Sequence, residues 1–385
     1  MLRTRRRKMN NNTPPNNKGN GNNNGGKAPK NTQNMLMFAV FVIAAILVWA
    51  LFNNQYTQAT SQEITYDKFL DMLEADEVAS VEDTGSTWKI TPKEKDKDGI
   101  WRICLNHHPI FMEGVLDQGY WPDGLMTPPA DAAYIFDIMG MKETGFHMIR
   151  KHIKIEPERF YFHCDRLGMI VWQDMVNGGR SYKDWYVTYL ATVLSFLQIK
   201  SNDRHRKLLS REDEAGQREW QQEMLETIAL LKKHPCISTW VIFNEGWGQF
   251  STNEMVALAR EADPTRLIDA ASGWYDQGSG DMNSFHNYFF PLVIPRDPRK
   301  NERVAVLSEY GGYSYGIPEH TTTEAIYGYG TYKDTESLKA AYEKRRQEAM
   351  RLIPQGLCAS VYTQVSDIED EVNGIYTYDR KVKKI

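Results

Sequence analysis

The chain has 385 residues, room for one large barrel and a small additional segment. Lys and Arg number 46 against 50 Asp and Glu, a net charge of −4, so no global basic field marks the chain for nucleic acid. Cys104, Cys164, Cys236 and Cys358 are widely spaced and form no CxxC pair, which favours buried free thiols over disulfides or a zinc site.

Residues 1–34 are rich in Asn, Gly, Lys and Pro and almost devoid of apolar side chains, so a disordered tail is expected. Arg3, Arg5, Arg6, Arg7 and Lys8 crowd its start. Residues 35–52 are uncharged and mostly apolar; as a helix they span about 27 Å, close to the hydrocarbon thickness of a bilayer. No small-x-small cleavage site follows closely, so a single membrane anchor is preferred to a cleaved signal or a core helix. The basic residues all precede it. The positive-inside rule then puts the N-terminus in the cytoplasm and everything after Phe52 on the extracytoplasmic, periplasmic side.

Residues 53–98 read as a short α+β fragment and linker. A helical face carries Tyr66, Phe69, Leu70 and Leu73, strands are expected at 78–81 and 88–90, and a charged junction follows. The basic tail, the single apolar run and Glu63-Ile64-Thr65-Tyr66-Asp67-Lys68-Phe69-Leu70 together resemble the N-terminus of FtsH-type membrane-bound AAA proteases. That resemblance implies association with membrane protease subunits. It carries no catalysis, because the chain has neither a GxxxxGK[ST] phosphate loop nor an HExxH zinc helix.

From residue 99 the character changes. Strands are expected at 110–116, 146–152, 169–175, 237–244, 267–271, 284–289, 304–309 and 358–365, with helices at 130–142, 157–167, 185–199, 214–233, 253–262 and 335–353. Alternating strands and helices imply parallel βαβ units. Eight strands over 99–385 predict an α/β fold, a (β/α)8 TIM barrel, with a doubly wound open sheet as the rival. Two strands share one form, an apolar run, a carboxylate, then glycine: Val241-Ile242-Phe243-Asn244-Glu245-Gly246 and Val306-Leu307-Ser308-Glu309-Tyr310-Gly311. Ending the fourth and seventh strands, Glu245 and Glu309 face one cleft at the C-terminal mouth. Glycoside hydrolysis needs such a pair, an acid for the departing oxygen and a carboxylate at the anomeric carbon. Either alone reads equally well as a salt-bridged rim residue.

These segments resemble the acid/base and nucleophile segments of glycoside hydrolase family 2, the β-galactosidase and β-glucuronidase family. Leu116–Gly124, Gly145–His152, Asp165–Asp174 and Tyr362–Asp379 resemble it too, so the likeness runs from about residue 100 to the C-terminus. It implies a retaining mechanism with Glu309 as nucleophile and Glu245 as general acid, then base. Burial and the charge on Glu309 are expected to raise the pKa of Glu245. Asn244 would donate to the sugar 2-hydroxyl. Arg150, ending the second strand, would hold Glu309 ionised or form a plain rim salt bridge. Asp174, ending the third, would bind sugar hydroxyls or pair with Arg150 or His152. His286 and Tyr288 on the sixth would hydrogen-bond the nucleophile or simply pack. Trp121, Trp247 and Trp274 are candidate stacking platforms or core residues, Trp247 being the best placed.

A carbohydrate is therefore the expected substrate, with no cofactor and no metal site. The Asn-x-Lys element that reads a glucuronate carboxylate is absent from the barrel portion, which favours a galactosidase-like enzyme over a glucuronidase. Family members usually carry a jelly-roll and an immunoglobulin-like domain before the barrel; here the FtsH-like segment stands in their place. Tyr362 and Gln364 stand near the point where many members have a Trp ending the last strand. The expectation is a membrane-anchored retaining β-glycosidase. The alternative is a non-enzymatic or inactive membrane-anchored fusion lacking its sandwich domains.

Overall fold

The computed structural model describes residues 78–83, 88–92, 99–105, 108–197, 199, 201–297, 303–321 and 326–385, with Lys68 and Met72, which are helical. The expected tail (1–34) and anchor (35–52) lie outside the described residues. Among the described residues no helix is long and apolar enough to cross a membrane. Of the 53–98 fragment, Val78–Asp83 and Trp88–Pro92 pair as a two-stranded sheet, as expected.

Eight parallel strands make the barrel: β1 Met112–Asp117, β2 Met148–Lys151, β3 Ile170–Asp174, β4 Ile237–Val241, β5 Leu267–Asp269, β6 Met282–Asn287, β7 Val304–Gly311 and β8 Leu357–Thr363. Their order is β6-β7-β8-β1-β2-β3-β4-β5, each neighbour parallel to the next. The seam between β5 and β6 is closed by Asp281. Its amide donates to the Ile268 carbonyl (2.8 Å) and its carboxylate accepts from the Ile268 amide (2.7 Å). This ring excludes the open doubly wound sheet.

The helices are α1 Asp131–Glu143, α2 Glu158–Leu167, α3 Glu214–Leu231, α4 Thr252–Ala262 and α5 Thr335–Met350. Asp213 and Asp334 cap α3 and α5, each accepting from an amide of the first turn. Among the described residues no helix follows β5 or β6, so the ring of helices is thinner there than in an ideal barrel. The excursion after β3 is a π-helical turn, Trp185–Leu190, continued by helix Ala191–Phe196. Tyr186, Val187 and Ala191 seat it against Leu209 and Tyr275.

Period-two alternation sorts the strand residues. Met112, Leu116, Met148, Trp172, Val241, Met282, Val304, Val306 and Val361 point inward and fill the lower barrel, where Trp101 and Ile103 pack against them from the N-terminal end of the strands. Val115, Ile149, Val171, Trp240, Ile268, Leu307 and Tyr310 point outward and meet the helices. Higher in the bore the inward positions turn polar: Arg150, Asp174, Asp269, Ser284, His286 and Ser308 are all buried. The apolar lower half thus supports a charged floor that opens at the C-terminal mouth.

Candidate active site

Arg150 organises that floor. It is fully buried at the end of β2. Its Nε and Nη2 donate to the two carboxylate oxygens of Asp174, at 2.9 Å each. Nη2 also donates to Asn244 Oδ1 (2.8 Å), and Nη1 to Glu309 Oε1 (2.9 Å) and the Ser308 carbonyl (3.1 Å). Five donors thus meet five acceptors, the full capacity of a guanidinium. Burial opposes the charge, but Asp174 and Glu309 outweigh it and hold Arg150 above its usual range. Asp174 also accepts from His152 Nδ1 (3.1 Å) and the Ile153 amide (3.3 Å). Burial would push its carboxyl up, yet Arg150 and then His152 hold it below the ordinary value. Arg150 thus holds Glu309, and Asp174 pairs with both Arg150 and His152, with every guanidinium donor engaged by a protein acceptor.

Glu309 reaches the floor through an irregularity. Strict alternation along Val304, Val306 and Ser308 would send its side chain outward. Pairing jumps by one residue on both neighbours: Phe285 and His286 face Leu307 and Glu309, while Leu307 and Tyr310 face Ser360 and Tyr362. This bulge lets Ser308 and Glu309 both point inward. Ser284 Oγ donates to Ser308 Oγ (2.7 Å), and Glu309 takes Arg150 on one oxygen and the Tyr288 hydroxyl on the other. Tyr288 stacks on Tyr329, with centroids 3.7 Å apart, and burial followed by the Glu309 charge keeps its hydroxyl protonated.

Glu245 stands four residues past the end of β4. The Ser272 carbonyl takes the Glu245 amide (2.9 Å), and the Phe243 carbonyl takes the Ser272 amide (2.8 Å), which extends β4 toward β5. Glu245 is held at a left-handed φ of 51°, a strained conformation for a residue with a side chain. Its Oε1 contacts His286 Nδ1 at 2.9 Å. Burial raises its pKa, and His152 and Arg150 work against that rise. Of the two causes expected from the sequence, burial is the one that raises it. His286 Nε2 meets Ser272 Oγ at 2.8 Å and Glu309 Oε1 at 3.5 Å. Burial, aided by Arg150 and His152, pushes the imidazole down to about 4, so it is neutral at pH 7. One oxygen each of Glu245 and Glu309 and one His286 nitrogen lie within 4.8 Å of one another. That spacing would also suit a metal ion.

Because Arg150 is a pure donor, it fixes the Asn244 amide with the oxygen toward itself. The Asn244 nitrogen has no protein acceptor among the described residues and is left to donate elsewhere. Trp247 is partly buried and rests one face on Tyr182, with centroids 4.6 Å apart. Trp274 packs against the His286 ring. Trp121 is closed off between Tyr134 and the Arg380 guanidinium, so it is a core residue and offers no platform. Sequence reasoning missed Ser272, Tyr329 and Glu371, which come from segments between regular elements, and Thr363, which ends β8.

The pattern described as "Glycosyl hydrolases family 2, TIM barrel domain" matches residues 101–311, more than half of the chain. The chain belongs to glycoside hydrolase family 2. Residues 35–103 match "FtsH Extracellular". A curated relative from Formosa agariphila, named "Putative beta-glucuronidase", is 26% identical over 184 residues, covering 46% of this chain and 14% of its own length. Similar solved structures include a family 2 β-galacturonidase from Eisenbergiella tayi bound to galacturonate. It has 17% identity and a TM-score of 0.54, covering 73% of this chain and 51% of that one. Another is a β-D-glucuronidase from Dictyoglomus thermophilum, with 15% identity and a TM-score of 0.53, covering 79% and 54%. The chain thus spans a small part of the curated relative and about half of these structures.

Proposed function

We propose that this chain is a retaining β-glycosidase that hydrolyses terminal β-linked sugars, a galactoside being the first candidate. The observation that carries the reading is the facing pair, Glu309 and Glu245, with oxygens within 4.8 Å and in opposite electrostatic settings. Retaining enzymes hold their two carboxyl groups about 5–5.5 Å apart. Glu309, clamped by Arg150 and Tyr288, attacks the anomeric carbon from the face opposite the leaving group. Glu245, made more basic by burial, gives its proton to the departing oxygen. It then takes a proton from the water that cleaves the glycosyl ester. Asn244 donates to the 2-hydroxyl, a contact that strengthens as charge develops. Arg150 and Asp174 act through these groups as positioning residues. While Glu245 carries its proton, neutral His286 accepts a hydrogen bond from that carboxyl at Nδ1, keeps its own proton on Nε2 and donates it to Ser272 Oγ. The uronidase names of the relatives describe those proteins; a uronide is the second substrate class to test.

Azide separates the two roles. Glu309→Gly is expected to lose about 10⁴-fold or more of kcat. Azide should restore turnover of an aryl β-galactoside with the α-glycosyl azide as product, whereas Glu245→Ala should give the β-azide. The absence of any azide product from both variants would defeat the assignment and favour the inactive-fusion reading.

We also propose that residues 35–52 anchor the barrel to a membrane on its extracytoplasmic side, with protease subunits as neighbours. The "FtsH Extracellular" match and the apolar run support this. The full chain should stay with the membrane pellet after carbonate extraction, and release into the supernatant would count against the anchor.

A further inference from the structure

A third carboxylate stands at the mouth. Glu371 lies in the segment after β8, with its backbone tied to Ile368 by hydrogen bonds of 2.9 and 3.1 Å. Its Oε2 accepts from Gln118 Nε2 (3.1 Å), just past β1, and from Gln364 Nε2 (2.9 Å), just past β8. Gln364 is in turn held by Asn373 Oδ1 (2.7 Å). Two neutral amides thus fix the carboxylate without a cation, and Glu371 Oε1 has no protein partner among the described residues. Gln118 and Gln364 follow the C-terminal ends of the paired strands β1 and β8, so the carboxylate they hold stands at the same mouth of the barrel as Glu309, which lies near the end of β7.

The nearby cations are already engaged. Arg150 has no donor left, and His152 is bound to Asp174. Lys151 bridges Asp117 and Glu156, and Lys154 is held by Glu156 and by the Gly119 and Met126 carbonyls. In an eight-strand ring the β8–β1 side lies opposite β4, which carries Asn244 and Glu245. If Asn244 addresses the 2-hydroxyl, the far side receives the C4–C6 end of the ring. A uronide carries its carboxylate there.

We propose that Glu371 is a specificity-determining residue that accepts a hydroxyl of a neutral β-hexopyranoside and rejects a uronide. This rests on the glycosidase reading above. A carboxylate can only accept hydrogen bonds; a sugar hydroxyl supplies the proton, whereas a uronate supplies none and repels it.

The test uses the full chain and p-nitrophenyl β-galactoside, β-glucoside, β-mannoside, β-glucuronide and β-galacturonide. The wild type should prefer its best neutral substrate over either uronide by at least about a hundredfold in kcat/KM. Glu371→Gln keeps the shape and both amide contacts. It should lower kcat/KM for the neutral sugar about tenfold, chiefly through KM, while leaving uronide hydrolysis unchanged or faster. A wild type that prefers a uronide overturns this proposal and leaves the glycosidase reading standing. An equal loss on every substrate overturns it too, since that marks a structural role. If no glycoside of either class is cleaved, both readings fall. Should Glu371→Gln not fold, the wild-type preference decides.

Discussion

At the residue scale, charge placement was only partly legible in the sequence. Glu245 and Glu309 could be named because each follows an apolar run and precedes glycine, and Arg150 because it ends a strand. Their environments could not. Nothing in the sequence says that Arg150 meets five acceptors, or that His286 is pinned between both carboxylates, because the partners come from β3, β4, β6 and β7. Burial of His286 has a measurable consequence. An unfolded histidine takes up its proton near 6.5, whereas the native one resists until about 4. Between those values the unfolded chain binds more protons, so stability falls as the pH falls through this window. The fall from 6.5 to about 4 corresponds to about 3 kcal/mol. Urea unfolding at pH 7 and pH 4 should show the wild type losing about that much more stability than His286→Gln. Equal losses would mean that His286 is not buried neutral.

At the element scale, strands and helices were recovered to within a few residues, because strands buried on both faces read as apolar runs. The departures are local and sit at the site. β4 was expected to run to Asn244 but ends at Val241, and three further residues continue it through hydrogen bonds to Asp269 and Ser272. The β7 bulge at Ser308 and Glu309 was hidden, since period-two alternation alone would turn Glu309 outward. Close approach adds a constraint. Gly248 has φ 69°, and a Cβ there would stand 1.9 Å from the Gly178 carbonyl oxygen, beside Asn177, which receives the Asn244 amide. Gly145 has φ 103° with nothing within 4 Å of such a Cβ. Alanine at either position costs about 1–2 kcal/mol for the left-handed backbone. Only Gly248→Ala must also displace the loop beside Asn244 and Glu245. It should therefore lower kcat at least about tenfold, with Gly145→Ala near wild type in kcat; a difference of 0.5 Å in group placement is enough for such a loss. Matched kinetics in the two variants would remove the argument from close approach.

At the scale of the whole molecule, the alternation of strands and helices was enough for the barrel, because parallel strands need long crossovers and a fixed handedness. The lower barrel is filled by side chains such as Met112, Met148 and Trp172, so chemistry is confined to the upper, polar layer. There the fold brings together β2, β3, β4, β6 and β7, which are scattered over about 160 residues of sequence. The central claim is that one of the two facing carboxylates becomes covalently attached to the sugar. A mechanism-based label tests it most directly. The full chain is treated with 2,4-dinitrophenyl 2-deoxy-2-fluoro-β-galactoside and its gluco and uronide counterparts, digested, and read by mass spectrometry. The account predicts one added 2-fluoroglycosyl group per chain, on Glu309, absent from Glu309→Gln and still formed in Glu245→Ala. A label on any other residue, or steady turnover with no label at all, would contradict it.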